Sequence, residues 1–201
     1  MSTSPLLAPM DKVAIIPCIS RAFQLYGKAL PWFVGWGLTV SLFQAGLGFV
    51  TAGWALLLGL AIIVPLNVGL YAIADAAANG DTVDADTVLA GFKRGPAYAL
   101  GVLETVLLVA SLLVFVLPVF IVLPALTWAV PALHRRQLAA LDAVVYSAGL
   151  AKRHIWLTLG VMGFAFLLDS VATGTIVLGA FTLPMMVCLK TVVFEQIARR
   201  D

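Results

Sequence analysis

The sequence predicts an all-α integral membrane protein with six transmembrane helices. Only 11% of its 201 residues are charged, whereas a soluble domain carries about 25%. The mean hydropathy is +1.07, and several apolar runs between residues 30 and 194 approach the ~20 residues with which a helix crosses the hydrocarbon core. Helices are expected because they pair their own backbone polar groups, which lipid cannot do.

Internal similarity divides the chain into three units. A proline recurs after 59 and then 60 residues: Pro65, Pro124 and Pro184. An acidic residue follows each proline by 16 to 18 residues: Asp81, Asp142 and Asp201. We therefore expect a single membrane domain, 1–201, built from units at about 12–80, 81–141 and 142–201.

Each unit is predicted to begin with an amphipathic helix. In the first unit an apolar stripe has the three-to-four spacing of a helix: Ile15, Ile19, Phe23, Tyr26 and Leu30. The third unit has a similar stripe: Leu138, Leu141, Val145 and Ala148. In the second unit Gly80 suits a helix end and Asp81 or Thr82 an N-cap. Short helices of this kind lie in the membrane interface.

A helical hairpin follows each amphipathic helix, and the predicted spans are 30–48, 53–75, 96–115, 119–134, 155–171 and 174–194. The second unit leaves only 40 residues between Arg94 and Arg135 for two crossings, so a re-entrant hairpin is the alternative there. The prolines of the returning spans favour kinks. Such kinks shape helix packing or, alternatively, mark a gate.

The basic residues predict the orientation. All 12 Lys and Arg residues are assigned to one side of these spans, and the opposite loops contain none. By the positive-inside rule, both termini are expected to face the cytoplasm. Three basic pairs are expected to meet the acidic headgroups of the inner leaflet: Lys93 with Arg94, Arg135 with Arg136, and Lys152 with Arg153.

Polar residues inside predicted spans are candidates for function, because they are costly in lipid. Glu104 lies in the third span, where it either carries a proton or contacts a cation, or is a hydrogen-bonded packing residue. Asp169 lies near the outer end of the fifth span, where interfacial solvation or an N-cap is the alternative role. Asn67 is expected to form an interhelical hydrogen bond.

Several chemistries find no support in the sequence. No phosphate-binding, metalloprotease or serine-hydrolase motif is present, so no catalytic residue, metal ligand or cofactor is predicted. Cys18 and Cys188 are expected to be buried fillers. His134 and His154 fit basic clusters better than paired haem ligands. A net charge of +2 is too small to favour nucleic acid.

A few polar positions carry a resemblance to a known family. The patterns IxRAFxLYxKxL, GFKR and SxxLxKRHxWxTLG resemble small bacterial inner-membrane proteins of the YciC-like group, and the membrane domain fused to some glycerophosphoryl diester phosphodiesterases. The resemblance covers most of residues 12–197. It implies a six-span, non-catalytic membrane module. Because these residues contain no phosphodiesterase domain, it implies no hydrolase activity.

Two functions from different classes are compatible with these features. The first is a structural or accessory subunit that contacts other membrane proteins and stabilises a larger complex. The second is a small transporter or channel, with Glu104 coupling it to protons or cations. The parallel units and sparse polar lining favour the first, since many secondary transporters use inverted repeats.

Overall fold

A computed structural model describes residues 15–48, 53–113, 119–172 and 176–199. This part of the chain is helical and contains no strand. Ten α-helices lie in it: α1 (Ile15–Lys28), α2 (Leu30–Gly48), α3 (Gly53–Asn79), α4 (Ala85–Val88), α5 (Gly95–Leu113), α6 (Val119–Leu126), α7 (Ala129–Arg136), α8 (Ala140–Arg153), α9 (Ile155–Ala172) and α10 (Ile176–Ala198). A 3-10 turn, Leu89–Gly91, follows α4. The all-α prediction is confirmed.

Among the described residues, two helices are long and apolar enough to cross a membrane. They are the Ala61–Asn79 part of α3, with a mean hydropathy of 1.7, and Ile176–Ala198, which is α10, with 2.0. Gly95–Ser111 and Ile155–Leu168 are shorter apolar segments of α5 and α9. Residues 49–52, 114–118 and 173–175, where the sequence predicts the outer turns, lie outside the described residues.

The long helices pack in sequence around the bundle. α3 packs along α5, α2 packs along α10, and α6 makes only slight contact with α9. The short amphipathic elements each lie on a helix of another predicted unit: α1 on α10, α4 and the 3-10 turn on α3, and α8 on α6 and α7.

The fourth predicted span, 119–134, is not one continuous helix. It is divided into α6 and α7 at Thr127 and Trp128. The physical reason is that Pro131 has no N–H for the carbonyl of Thr127. The Trp128 N–H donates to Ser147 Oγ of α8 at 3.0 Å, rather than to Pro124 one turn back. The kink expected from the prolines is therefore a complete break in this unit.

The second unit begins at a different cap from the one predicted. Gly80 has a φ of 82° and ends α3, as expected. The N-cap of α4 is Asp84, rather than Asp81 or Thr82, because its carboxylate accepts hydrogen bonds from the Thr87 amide at 2.8 Å and hydroxyl at 2.7 Å.

The amphipathic helices bury a face that differs from the predicted stripe. In α8, Ala143, Ser147 and Leu150 are buried against the bundle, whereas Leu141 and Val145 of the predicted stripe are 64% and 65% exposed. In α1 the buried face is formed by Cys18, Ala22 and Leu25. Ile19 and Tyr26 of its predicted stripe are partly buried against the core, whereas Phe23 is exposed. Both helices therefore have one face against protein and a second apolar face directed outward.

Glycine allows the close approach of α3 and α5. Pro65 cannot donate to the carbonyl of Ala61, and Gly101 of α5 lies against that carbonyl so closely that a Cβ at Gly101 would overlap it. The same arrangement joins α10 to α2. Pro184 cannot donate to Ala180, and a Cβ at Gly37 would overlap the Ala180 carbonyl.

We call each such glycine–carbonyl contact between two helices a joint. The corresponding joint between α6 and α9 is open. Gly160 of α9 lies 59 residues after Gly101. A Cβ there would meet the side chain of Ile15, at 2.9 Å, rather than a backbone carbonyl. Because α6 ends early at the Thr127 break, it contacts α9 only slightly.

Candidate functional site

A cavity of about 440 Å³ lies inside the helix bundle. Side chains from α3, α5, α6, α7, α9 and α10 line it together with Thr127. Most of the lining is aliphatic, methionine or phenylalanine, and five side chains are polar: Asn67, Tyr71, Glu104, Thr127 and Lys190. The cavity therefore combines an apolar wall with a small set of polar groups, as ligand pockets do.

Glu104 and Lys190 bring opposite charges to this cavity. Glu104 projects from α5 and Lys190 from α10, and both are half-buried at the cavity surface. Among the described side chains they attract each other electrostatically, but no direct ion pair joins them. An ionised group in apolar surroundings needs a partner, so the two charges make the cavity neutral overall without filling it.

Lys190 is a functional candidate that the sequence analysis missed. The prediction assigned it to the inner basic residues, but it lies within α10, well before that helix ends at Ala198. The available signal was its position inside the predicted span 174–194, four residues before that span ends. Lys190 therefore lines the cavity from within its helix.

The other predicted polar residues have different outcomes. Asn67 lines the cavity, and Tyr71, one turn further along α3, has its ring buried there. Thr127 donates its hydroxyl hydrogen to the carbonyl of Leu123 at 2.9 Å. Asp169 belongs to α9, but its side chain lies outside the described residues. The structure thus brings Glu104 and Asn67 to one cavity.

A cluster of charged side chains joins the ends of three helices. The guanidinium of Arg135 in α7 binds the carboxylates of both Asp75 in α3 and Glu195 in α10, and each lies 60 residues from Arg135. His134 Nε2 lies 3.1 Å from Asp75 Oδ2, and Arg199 donates to Glu195 at 2.6 Å. We name these five residues the ion cluster. Its centre, Arg135, has a side chain only 12% exposed.

The six residues predicted to meet lipid headgroups fall into two groups. Four have partners within the protein. Arg135 is the centre of the ion cluster, and Arg94 donates to the carbonyl of His134 at 3.2 Å. Arg136 donates to the Ala198 carbonyl at 3.0 Å and lies 4.6 Å from the ring centre of Tyr146. Lys93 pairs with Asp86 at 2.8 Å.

The second group is Lys152 and Arg153, two exposed residues at the end of α8. Arg153 also interacts within the protein, and Lys152 occupies a position in which a basic side chain reaches a headgroup. The sequence could not separate the two groups, because a Lys-Arg pair beside an apolar run has the same pattern whether it faces lipid or a carboxylate.

A metal site requires several ligating side chains around one point. Within the described ranges, no group of three or more His, Cys, Asp and Glu side chains is arranged to hold a metal ion. The cavity offers a carboxylate, an ammonium group, an amide, a phenol and a hydroxyl. Groups of these types are the ones with which proteins bind and orient charged or hydrogen-bonding ligands.

Comparison with protein families, with curated proteins and with solved structures finds no match to this chain.

Proposed function

We propose that this chain is a non-catalytic, six-span protein of the bacterial inner membrane that serves as a structural or accessory subunit of a larger membrane complex. The ion cluster carries this proposal. Arg135 ties α3, α7 and α10 together at one end through two carboxylates. Removing one partner of a partly buried ion pair is costly, so these contacts favour a fixed arrangement of the three helices, as a scaffold requires.

The proposed topology has both termini in the cytoplasm. It is supported by the ion cluster and by Lys152 and Arg153, which all follow returning spans or precede outgoing ones. The outward apolar faces of α1 and α8 suit helices that lie in the interface. Six spans fit three units, each contributing one of the residues Asp75, Arg135 and Glu195 at 60-residue intervals.

Single-cysteine labelling tests the topology. Cys18 and Cys188 are buried and contribute little background. We expect an impermeant maleimide to label Thr173→Cys, in a predicted outer turn, on intact spheroplasts. Lys152→Cys should react only after the membrane is permeabilised. The opposite pattern would reject the orientation, and labelling of both sites without permeabilisation would reject the predicted fifth span.

Co-purification tests the accessory role. The tagged chain is purified in mild detergent at native expression level and analysed by quantitative mass spectrometry, with an unrelated six-span protein as the control. We expect partner subunits at a stoichiometric ratio that the control does not recover. Recovery of the chain alone would contradict the proposal.

The cavity favours one second candidate, a small transporter linked to protons or cations through Glu104. Its supporting observation is that Glu104 and Lys190 face an internal cavity rather than each other. In proteoliposomes, Glu104→Gln should abolish a proton- or cation-linked flux while the melting temperature is retained. Absence of flux in the wild type would reject this candidate.

A further inference from the structure

The cavity has a lateral opening between α6 and α9. The equivalent joints at α3–α5 and α2–α10 are closed by glycines against backbone carbonyls. At α6–α9 the helices barely touch. Leu123 of α6 and Phe166 of α9 line the cavity and are also exposed at the surface, Phe166 to 72%. In the proposed six-span topology, on which this inference rests, the opening faces the acyl chains.

The two charged groups of the cavity lie on helices other than α6 and α9, whereas the hydroxyl of Thr127 directly follows α6. Glu104, Asn67 and Tyr71 belong to α5 and α3, and Lys190 belongs to α10. A ligand that enters between α6 and α9 therefore meets apolar side chains first and charges second. An amphiphile matches this arrangement, with its polar head at the charges and its hydrocarbon tail at the opening.

The charges of Glu104 and Lys190 also restrict which head group a ligand can have. A carboxylate and an ammonium group that share a cavity without a direct ion pair are both satisfied by a ligand that carries one charge of each sign. An anionic head would leave Glu104 facing a like charge, and a cationic head would do the same to Lys190. The volume of about 440 Å³ lies in the range of small-ligand pockets.

We propose that this cavity binds the zwitterionic head of a phospholipid with a primary ammonium group, its ammonium at Glu104, its phosphate at Lys190, and its acyl chains leaving between α6 and α9. Asn67 and Tyr71 supply additional hydrogen-bond partners for the phosphate or glycerol oxygens. This inference goes beyond the proposed accessory role. Lipid binding is measured separately, whether or not partner subunits are recovered.

Lipid binding is measured by native mass spectrometry of the full chain in detergent. Three probes have matched acyl chains: phosphatidylethanolamine, phosphatidylcholine and phosphatidylglycerol. The first two are zwitterionic, but only phosphatidylethanolamine has ammonium N–H donors, and phosphatidylglycerol is anionic. We expect the wild type to bind phosphatidylethanolamine about tenfold more tightly than either of the others, a difference of about 1.4 kcal/mol.

Two charge variants separate the contributions of the ammonium group and the phosphate of the lipid head. Glu104→Gln should lower the affinity for phosphatidylethanolamine to that for phosphatidylcholine. Lys190→Gln should weaken binding of both zwitterionic lipids, because it removes the phosphate contact. A wild type that binds the three lipids equally, or prefers the anionic one, would overturn the proposal.

A pair of variants at the opening keeps the test valid if a charge variant fails to fold. Phe166→Trp enlarges an exposed side chain at the opening, and Leu167→Trp makes a matched change at a neighbour that is 64% exposed and does not line the cavity. We expect about a tenfold loss of phosphatidylethanolamine binding for Phe166→Trp at an unchanged melting temperature, and no loss for Leu167→Trp. Equal binding by the two variants would reject the lateral opening.

Discussion

Gly101 of α5 lies directly against the carbonyl of Ala61 in α3, the carbonyl that Pro65 leaves without its intrahelical donor. The proline frees a backbone oxygen, and the glycine lets a neighbouring helix approach it. Gly37 and Ala180 repeat the relationship between α2 and α10. These two joints hold the bundle closed on the sides where no cavity opens.

Substitution of Gly101 by alanine is expected to destabilise the protein. The added methyl group would overlap the backbone of Ala61, which cannot rotate away, and overpacking costs about 1–3 kcal/mol. The thermal midpoint in detergent measures the effect. Gly163→Ala in α9 is the matched control, because its Cβ meets nothing within 4 Å. We expect that control to be neutral or stabilised by up to ~1 kcal/mol, from helix propensity. Equal midpoints for the two variants would contradict the close contact.

Loss of Arg135 should be more costly than loss of an exposed basic residue. Arg135→Met leaves Asp75 and Glu195 without their shared cation, with only His134 and Arg199 beside them, and for such a partly buried pair we expect a loss of roughly 1–3 kcal/mol. Lys152→Met removes the same charge from an exposed position at the end of α8 and should leave the thermal midpoint unchanged. Similar midpoints for both variants would show that the ion cluster does not hold the helices together. Arg135→Lys should restore only part of the loss, because an ammonium group lacks the planar fork that reaches two carboxylates.

The break between α6 and α7 depends on Ser147. Ser147→Ala removes the acceptor of the buried Trp128 N–H, and an unsatisfied buried donor costs about 1–3 kcal/mol. Thr158→Val has the same effect on the Trp128 indole, which donates to Thr158 Oγ1 at 3.0 Å. Ser170→Ala is the control, since Ser170 is exposed and bonds the Phe166 carbonyl of its own helix. Chemical or thermal unfolding in detergent should rank both buried substitutions below this control.

The α4 cap should weaken in acid. Hydrogen bonds from the Thr87 hydroxyl and amide lower the pKa of Asp84 below its ordinary value. A lowered pKa means that the stabilising effect is complete above the unfolded-state value, near 4, and is lost as the pH falls through the folded-state value. Amide hydrogen exchange across 85–91, corrected for intrinsic rates, should therefore show protection that falls in acid. Asp84→Asn keeps an acceptor for the cap and should remove this pH dependence. An unchanged dependence would assign it to another group.

The helical content and several boundaries could be predicted from the sequence. Apolar run length predicts helices near 30–48, 53–75 and 155–171, and the structure has α2, α3 and α9 there. Gly80 was correctly predicted to end a helix because a positive φ suits glycine. The break within the fourth predicted span was not predicted, because the loss of one backbone donor at Pro131 becomes a complete break only when Ser147 of another helix takes over the Trp128 N–H.

The candidate site was only half predictable. Glu104 and Asn67 were found from their positions in apolar runs. Lys190 and the ion cluster were not, because the partner of a charge depends on which helices are neighbours. Asp75, Arg135 and Glu195 occur at 60-residue intervals in the sequence. A regular spacing, however, does not tell which charged residues become neighbours or in which direction a side chain points.

The sequence by itself determined that this chain is helical and apolar, since composition and run length govern how a backbone satisfies its polar groups without water. The tertiary structure decided which charges meet, which proline interrupts its helix and which of three similar joints stays open. Those outcomes depend on contacts between residues far apart in the chain. Glu104 and Lys190 acquire a shared cavity only when α5 and α10 enclose it together.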